Sequence, residues 1–219
     1  MSIVRSPAAV AAVFTLFATL AVLPPSSAAA LSKPAVVPTP PAPVVDPDGN
    51  HPAVKTITTL IGAVRYGKHV LGLTFMDGSA QGAFMLGDNW LRGDDRQRAE
   101  FITLFHTVFA KVAFPKMQKN FQNIQTAVYD PPVVTGNRAL VKSTLVVLHA
   151  LKKQEYKLKY QLILVGADWK LVDVEVLGES MLTGVRNEQI APILKEGGWP
   201  KLLDLLRQKA KSLEGVVLK

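Results

Sequence analysis

Residues 178–182, Gly-Glu-Ser-Met-Leu, begin like a nucleophile elbow. In that motif a serine sits between two glycines on a sharp strand-to-helix turn, which exposes its hydroxyl to a general base. Gly178 and Ser180 fit the pattern, but Leu182 stands where the second glycine belongs. The strand entering the turn also reads as part of an antiparallel series, which is the wrong setting for a hydrolase. Asp173 and Tyr160 could form a proton-transfer pair, which needs a desolvated carboxylate aimed into a cavity. Strand alternation turns Asp173 away from the apolar face and makes a structural salt bridge or support of the turn its expected role. His51, His69, His106 and His149 are scattered, with no ligand spacing and no cysteine partner. There is no G-x-G-x-x-G and no Walker loop to cradle a phosphate. No catalytic residue, metal site or cofactor is expected.

These residues belong to a stretch, 169–190, that reads as an amphipathic strand, a glycine-marked turn and a helix starting near Met181. Sheet precedes it. Ile124–Tyr129 reads as a first strand, ended by Pro131-Pro132, and 138–148 as a second with Val141, Leu145 and Val147 on one face. In 155–165, Tyr156, Leu158, Tyr160, Leu162 and Leu164 alternate with Lys157, Lys159 and Gln161. Gly166-Ala167-Asp168 turns into 169–176, where Val172, Val174 and Val176 oppose Asp173 and Glu175. Consecutive strands without crossover helices make an antiparallel sheet.

Helices flank that sheet. Val54, Ile57, Leu60, Ile61, Val64 and His69 recur at helical spacing over 54–71. Residues 75–86 read as a second short helix closed by Gly87, whose Gly78 and Gly82 permit close backbone approach. Asp94 and Gln97 form a capping box ahead of a stripe of Phe101, Leu104, Phe105, Val108, Phe109 and Val112. Such a stripe is either ordinary core or one wall of a cavity for an acyl chain, and spacing does not separate the two. A basic helical segment follows at 116–123. After the sheet, 181–196 reads as a helix kinked or split at Pro192 and ended at Gly197-Gly198. Pro200 then opens a last leucine-rich helix. Helices, then sheet, then helices describe an α+β domain.

The N-terminal end is an address. Arg5 precedes an apolar run over residues 8–23, and Ala28-Ala29-Ala30 has the form of a signal-peptidase site. A secretory signal over 1–30, cleaved near Ala30, is expected. The chain has no cysteine, so lipoprotein anchoring and disulfide staples are both excluded. Seven prolines from Pro34 to Pro52 mark 31–52 as an extended spacer. The folded domain is expected over 53–215.

Loss of Arg5 lowers the formal charge of +8 by one. The lysines and arginines are dispersed rather than clustered. They suit a solvated surface, or transient attraction to an anionic membrane surface or acidic partner. Export argues against nucleic acid.

Trp169, Asp173-Val174, Gly178, Ser180, Arg186 and Gln189 together resemble the MlaC, or toluene-tolerance, family of periplasmic phospholipid-binding proteins. That family carries a W-x-x-x-D-V strand, a G-x-S turn and a helix bearing an Arg and an amide. Leu86-Gly87 and Trp90, followed by Gln97-Arg98, Phe101 and Phe105, resemble a second family pattern, and Gly198 before the final helix a third. The chain departs from the pattern at Gly184-Val185, where members carry an Asn-Tyr pair.

The resemblance implies a cone-shaped α+β fold, similar to nuclear transport factors and cystatins, with a curled antiparallel sheet packed against helices. It implies a soluble periplasmic carrier that holds phospholipid as cargo. Such a carrier shuttles it between an outer-membrane lipoprotein–porin complex and an inner-membrane ABC transporter, maintaining outer-membrane lipid asymmetry. Phe101, Phe105, Phe109, Val141, Leu145, Val147, Tyr160, Leu162, Val174, Val176 and Met181 are then expected to line the lipid site. Trp169, Asp173, Gly178, Ser180 and Arg186 are expected to hold its framework. The alternatives are a binding module of the same fold for another apolar ligand or a protein partner, or a small exported isomerase or hydrolase.

Overall fold

The computed structural model describes residues 51–149 and 152–218. The expected secretory signal, and nearly all of the expected proline-rich spacer, lie outside the described residues.

The chain enters through α1 (Pro52–Arg65), where Pro52 occupies the first turn and the His51 ring accepts a hydrogen bond from the Ala53 amide at 3.1 Å. A proline costs nothing there, because the first amides of a helix have no intrahelical partner. Gly67, in the left-handed region at φ 70°, ends this helix and leads to α2 (His69–Leu73). The expected single helix over 54–71 is therefore two.

Residues 75–77 are not helical, contrary to the expected start at 75. They run beside the sheet instead. Leu171 donates its amide to Phe75 and accepts from Asp77, in a parallel bridge centred on Met76. The Asp77 carboxylate then caps the amide of Ala80 and starts α3 (Gly78–Leu86). Gly87 ends α3, and α4 (Asp88–Arg92) follows at once.

The capping box forms as expected. The Asp94 carboxylate accepts from the Gln97 amide at 2.7 Å, and the Gln97 side chain accepts from the Asp94 amide at 3.0 Å. The helix it opens, α5 (Asp95–Phe121), runs straight through Pro115 and absorbs the basic segment that reads as separate in the sequence. Ala113 and Phe114, just before the proline, are buried in the core. Their packing outweighs the one lost backbone bond.

The sheet consists of β1 (Ile124–Tyr129), β2 (Val133–Thr135), β3 (Arg138–His149), β4 (Lys152–Val165), β5 (Asp168–Val176) and β6 (Glu179–Ser180). Its order is β1-β3-β4-β5-β6, all antiparallel, with β2 also on β3. β1 and β2 thus share one edge, interrupted at Pro131-Pro132, where no amide is available for a ladder. β2 has no counterpart in the sequence reading.

Between β4 and β5 the register slips. Leu162 faces Leu171, but Gln161 faces Asp173, so Val172 is the extra residue of a bulge. Trp169 and Leu171 come out buried, while Val172 loses the alternation that grouped it with Val174 and Val176. Asp173 lies on the opposite face as expected, yet it is buried rather than exposed to water.

After β6 come α6 (Met181–Val185), a π-helical turn (Arg186–Ile190) and α7 (Ala191–Ser212). The helix expected over 181–196 is divided by the π-turn, and Pro192 falls in the first turn of the helix that follows it, α7. Gly198, at φ 60° and ψ −155°, breaks α7 ahead of Pro200. Helices α1 and α7 both pack on α5, and all three join the sheet in a single cluster. That cluster reaches from Val54 and Ile57 through Phe101 and Phe114 to Val141, Tyr160 and Leu162, and on to Leu202 and Leu206. The fold is α+β, with an open antiparallel sheet.

Candidate functional site

The helix-facing surface of the sheet is built by alternation. On β3 it carries Ala139, Val141, Ser143, Leu145 and Val147, all buried. Pairing puts Tyr160 beside Val141 and Val174 beside Tyr160, and it puts Val176 beside Leu158, so these share that face. Opposite them runs an aromatic ladder along α5. Phe101 and Phe105 stack with centroids 5.7 Å apart, Phe105 meets Phe109 at 5.9 Å, and Phe109 meets Phe114 edge-on at 5.4 Å. Trp90 and Trp199 close its N-terminal end against Phe101, and His69 its other end against Phe114.

The expected lining residues divide into groups. Phe101, Phe105, Phe109, Val141, Tyr160 and Leu162 meet in the main cluster, and Val174 packs on its margin. Leu145 and Val147 are as deeply buried but stand outside that cluster, further along the same face. Val176 and Met181 are half-buried and apart from it.

Two polar residues on this face, Ser143 and Tyr129, escape a reading by apolar alternation. The Ser143 and Tyr160 hydroxyls lie 3.1 Å apart in a buried hydrogen bond. Tyr129 pairs with Ser143 across β1 and β3 and adds a third hydroxyl to the face. Burial raises the Tyr129 phenol to about 12. Burial raises Tyr160 further, against the opposing effect of its bond to Ser143. Both phenols are neutral donors near neutral pH. The signal for Ser143 was present in the sequence, as the one polar residue in the alternation 139, 141, 143, 145, 147.

The strand–helix junction is held by Asp173. Its carboxylate accepts from the Ser180 hydroxyl at 2.5 Å, the Val174 amide at 2.8 Å and the Leu182 amide at 3.1 Å. Ser180 in turn caps α6 through the Thr183 amide at 3.0 Å. Gly178 takes φ 94°, where a side chain would be strained. Trp169 anchors the other end of β5, its carbonyl accepting from the Thr56 hydroxyl at 3.0 Å while its indole lies against His51. Arg186 is exposed and borders a concavity of about 260 Å³ with Asn89, Leu194 and Lys195. A wider concavity of about 660 Å³ between α5 and α7 is crossed by Arg207, which holds Glu100 through two bonds of 2.6 and 2.9 Å.

Residues 73–208 match the family described as MlaC protein. The chain belongs to the MlaC family. Among solved structures it is similar to the phospholipid-binding protein of Ralstonia solanacearum, determined in complex with a phospholipid. The two share 18% identity at a TM-score of 0.60, over 74% of this chain and 99% of that one. At that identity the likeness is one of fold. No curated protein matches the sequence.

The MlaC-family match runs from α2 into α7, and so takes in each expected lining and framework residue. Ser180 donates its hydroxyl to Asp173 and accepts from the Thr183 amide, and no histidine is bonded to it among the described residues. His51 caps a helix, His69 is buried against Phe114, and His106 bonds Gln81 at 2.8 Å. The His149 side chain lies outside the described residues. Among the described residues no cluster of His, Asp or Glu has the makings of a metal site.

Proposed function

We propose that this chain is a periplasmic phospholipid carrier. The observation that carries the reading is the family match over 73–208, which spans an uncharged sheet face set against an aromatic helix face. In this reading residues 1–30 export the chain, 31–52 space it, and 53–215 form the lipid-binding domain. The two tails of a phospholipid hold roughly thirty methylenes, each worth about 0.8 kcal/mol in transfer from water. A carrier must offer a dry, apolar surface of matching extent to compete with a bilayer. No cofactor, energy source or catalytic step is needed.

The proposed cargo lies between α5 and the sheet, with Leu145 and Val147 receiving the part of the tails that the main cluster does not enclose. Arg186 and the other framework residues hold the junction rather than the lipid. The proposed partners are those implied by the family resemblance: an outer-membrane lipoprotein–porin complex and an inner-membrane ABC lipid transporter, with transient membrane contact at the basic surface.

Mass spectrometry of the purified mature protein, in the native state and after organic extraction, tests this reading. The expected result is bound phospholipid at about one molecule per chain. A folded protein that is empty, and that takes no lipid from vesicles, overturns it.

A further inference from the structure

Ser143 interrupts an otherwise apolar wall at a definite place. On β3 it separates Ala139 and Val141, which belong to the main cluster, from Leu145 and Val147, which lie beyond it. Its neighbours on the same face are Tyr160, bonded to it at 3.1 Å, and Tyr129, paired with it across β1 and β3. Only 4% of each of Ser143 and Tyr160 is exposed.

Counting protons shows what this site lacks. The Ser143 and Tyr160 hydroxyls carry two protons, and their mutual bond uses one. Neither makes another hydrogen bond among the described residues, so one of the two protons has no bonded acceptor among them. A buried donor without a partner costs more than a hydrogen bond returns, so the site favours any ligand that brings an oxygen acceptor.

The acceptor must be neutral. The residues sharing this face (Val141, Leu145, Val147, Leu158, Leu162 and Val174, with Gln154, Tyr129, Tyr156 and Tyr160) include no cation to pair with a phosphate. Desolvating an unpaired phosphate would cost far more than one hydroxyl bond recovers. A phospholipid's uncharged acceptors are the carbonyl oxygens of its acyl esters, which join the charged headgroup to the apolar tails.

We propose that the Ser143–Tyr160 hydroxyl pair is a seat for an acyl-ester carbonyl of the bound lipid. The seat selects ester-linked over ether-linked lipids and sets the depth at which the glycerol backbone comes to rest. It rests on the phospholipid-carrier reading, whose failure would look different. That the phenols stay protonated across the physiological range keeps the donor in place.

The test compares uptake by the full mature chain from vesicles of diester phosphatidylethanolamine and from vesicles of its dialkyl-ether analogue with matched chains. The ether lipid has the same tails and headgroup but no carbonyl. The wild-type protein is expected to hold the diester about fivefold to tenfold more tightly, the worth of one hydrogen bond. The double variant Ser143→Ala/Tyr160→Phe is expected to bring that ratio to one. Equal affinity of the wild type for both lipids overturns the ester seat and leaves the carrier reading standing. Uptake of neither lipid sinks both. A diester preference that survives in the double variant also overturns the assignment to this pair. If that variant does not fold, infrared spectra of carbonyl-labelled diester on the wild-type protein decide. A carbonyl band lowered by hydrogen bonding is expected, and a band at the free-ester position overturns the proposal.

Discussion

Asp173 and Ser180 are joined by a 2.5 Å hydrogen bond that ties the middle of β5 to the first turn of α6. Asp173 is buried and accepts three bonds, two of them from backbone amides. In sequence these two residues invite a catalytic reading. In the fold they form a capped corner that turns the chain from sheet to helix.

Removal of either partner is therefore expected to cost stability. Ser180→Ala removes a helix cap and one of the carboxylate's partners, a loss of about 1–2 kcal/mol. Asp173→Ala strands two amides, that of Leu182 buried and that of Val174 partly so, and is expected to cost more, about 2–4 kcal/mol. Urea denaturation monitored by tryptophan fluorescence measures both. An unchanged midpoint in either variant would show that the corner is held by something else.

The position of Leu162 and Leu145 relative to the main cluster separates two substitutions that look equivalent in sequence. Leu162 is 2% exposed and part of the cluster, so Leu162→Glu buries an unpaired carboxylate and is expected to unfold the domain. Leu145→Trp enlarges a side chain outside the cluster. It is expected to keep a cooperative melt while abolishing retention of co-purified phospholipid. Lipid retained at wild-type levels in a folded Leu145→Trp protein would remove that part of the face from the binding site.

The same contrast marks what could be read from the sequence. Apolar alternation in β3 and β4, the capping box at Asp94 and the helical stripe of Phe101, Phe105 and Phe109 are local patterns, and each appears in the fold. The bulge at Val172, the bridge at Met76 and the edge strand β2 depend on a partner strand's register, which a single strand does not encode. Pro115 inside α5 and the π-turn after Val185 are tertiary outcomes of the same kind. For the site, alternation identified the apolar wall but passed over Ser143 and Tyr129. A polar residue at a core position carries no meaning until its neighbour's hydroxyl is located.

Tyr129 gives the fold an alkaline limit. Its phenol ionises at about 12 in the folded chain against 10.0 ordinarily, because burial disfavours the anion. Tyr160 is raised in the same direction. Above the ordinary value the unfolded chain releases these protons and the folded chain does not. Their contribution is thus fully present below pH 10 and is lost as pH rises through the folded values. Urea midpoints are expected to fall between pH 10 and 12. In a Tyr129→Phe/Tyr160→Phe variant the slope should flatten. An equally steep decline in that variant would assign the alkaline loss to other groups.

Gly82 sets how closely α3 meets the aromatic ladder. A β-carbon built on it falls inside van der Waals contact with the six-membered ring of Trp90. Trp90 in turn packs edge-on against Phe101 and lies 6.2 Å from Trp199. Trp90 is half-buried, and its ring cannot shift toward Phe101 or Trp199 without disturbing that buried partner, because the core is close-packed. Gly82→Ala, which would raise helix propensity on an open surface, is instead expected to destabilise by about 1–3 kcal/mol. Gly62→Ala is the control: nothing lies within 4 Å of the added carbon in the last turn of α1, so a gain of about 0.5–1 kcal/mol is expected. Thermal melts of the two variants beside the parent protein measure the difference. If both shift the same way, helix propensity rather than the Trp90 contact governs these positions.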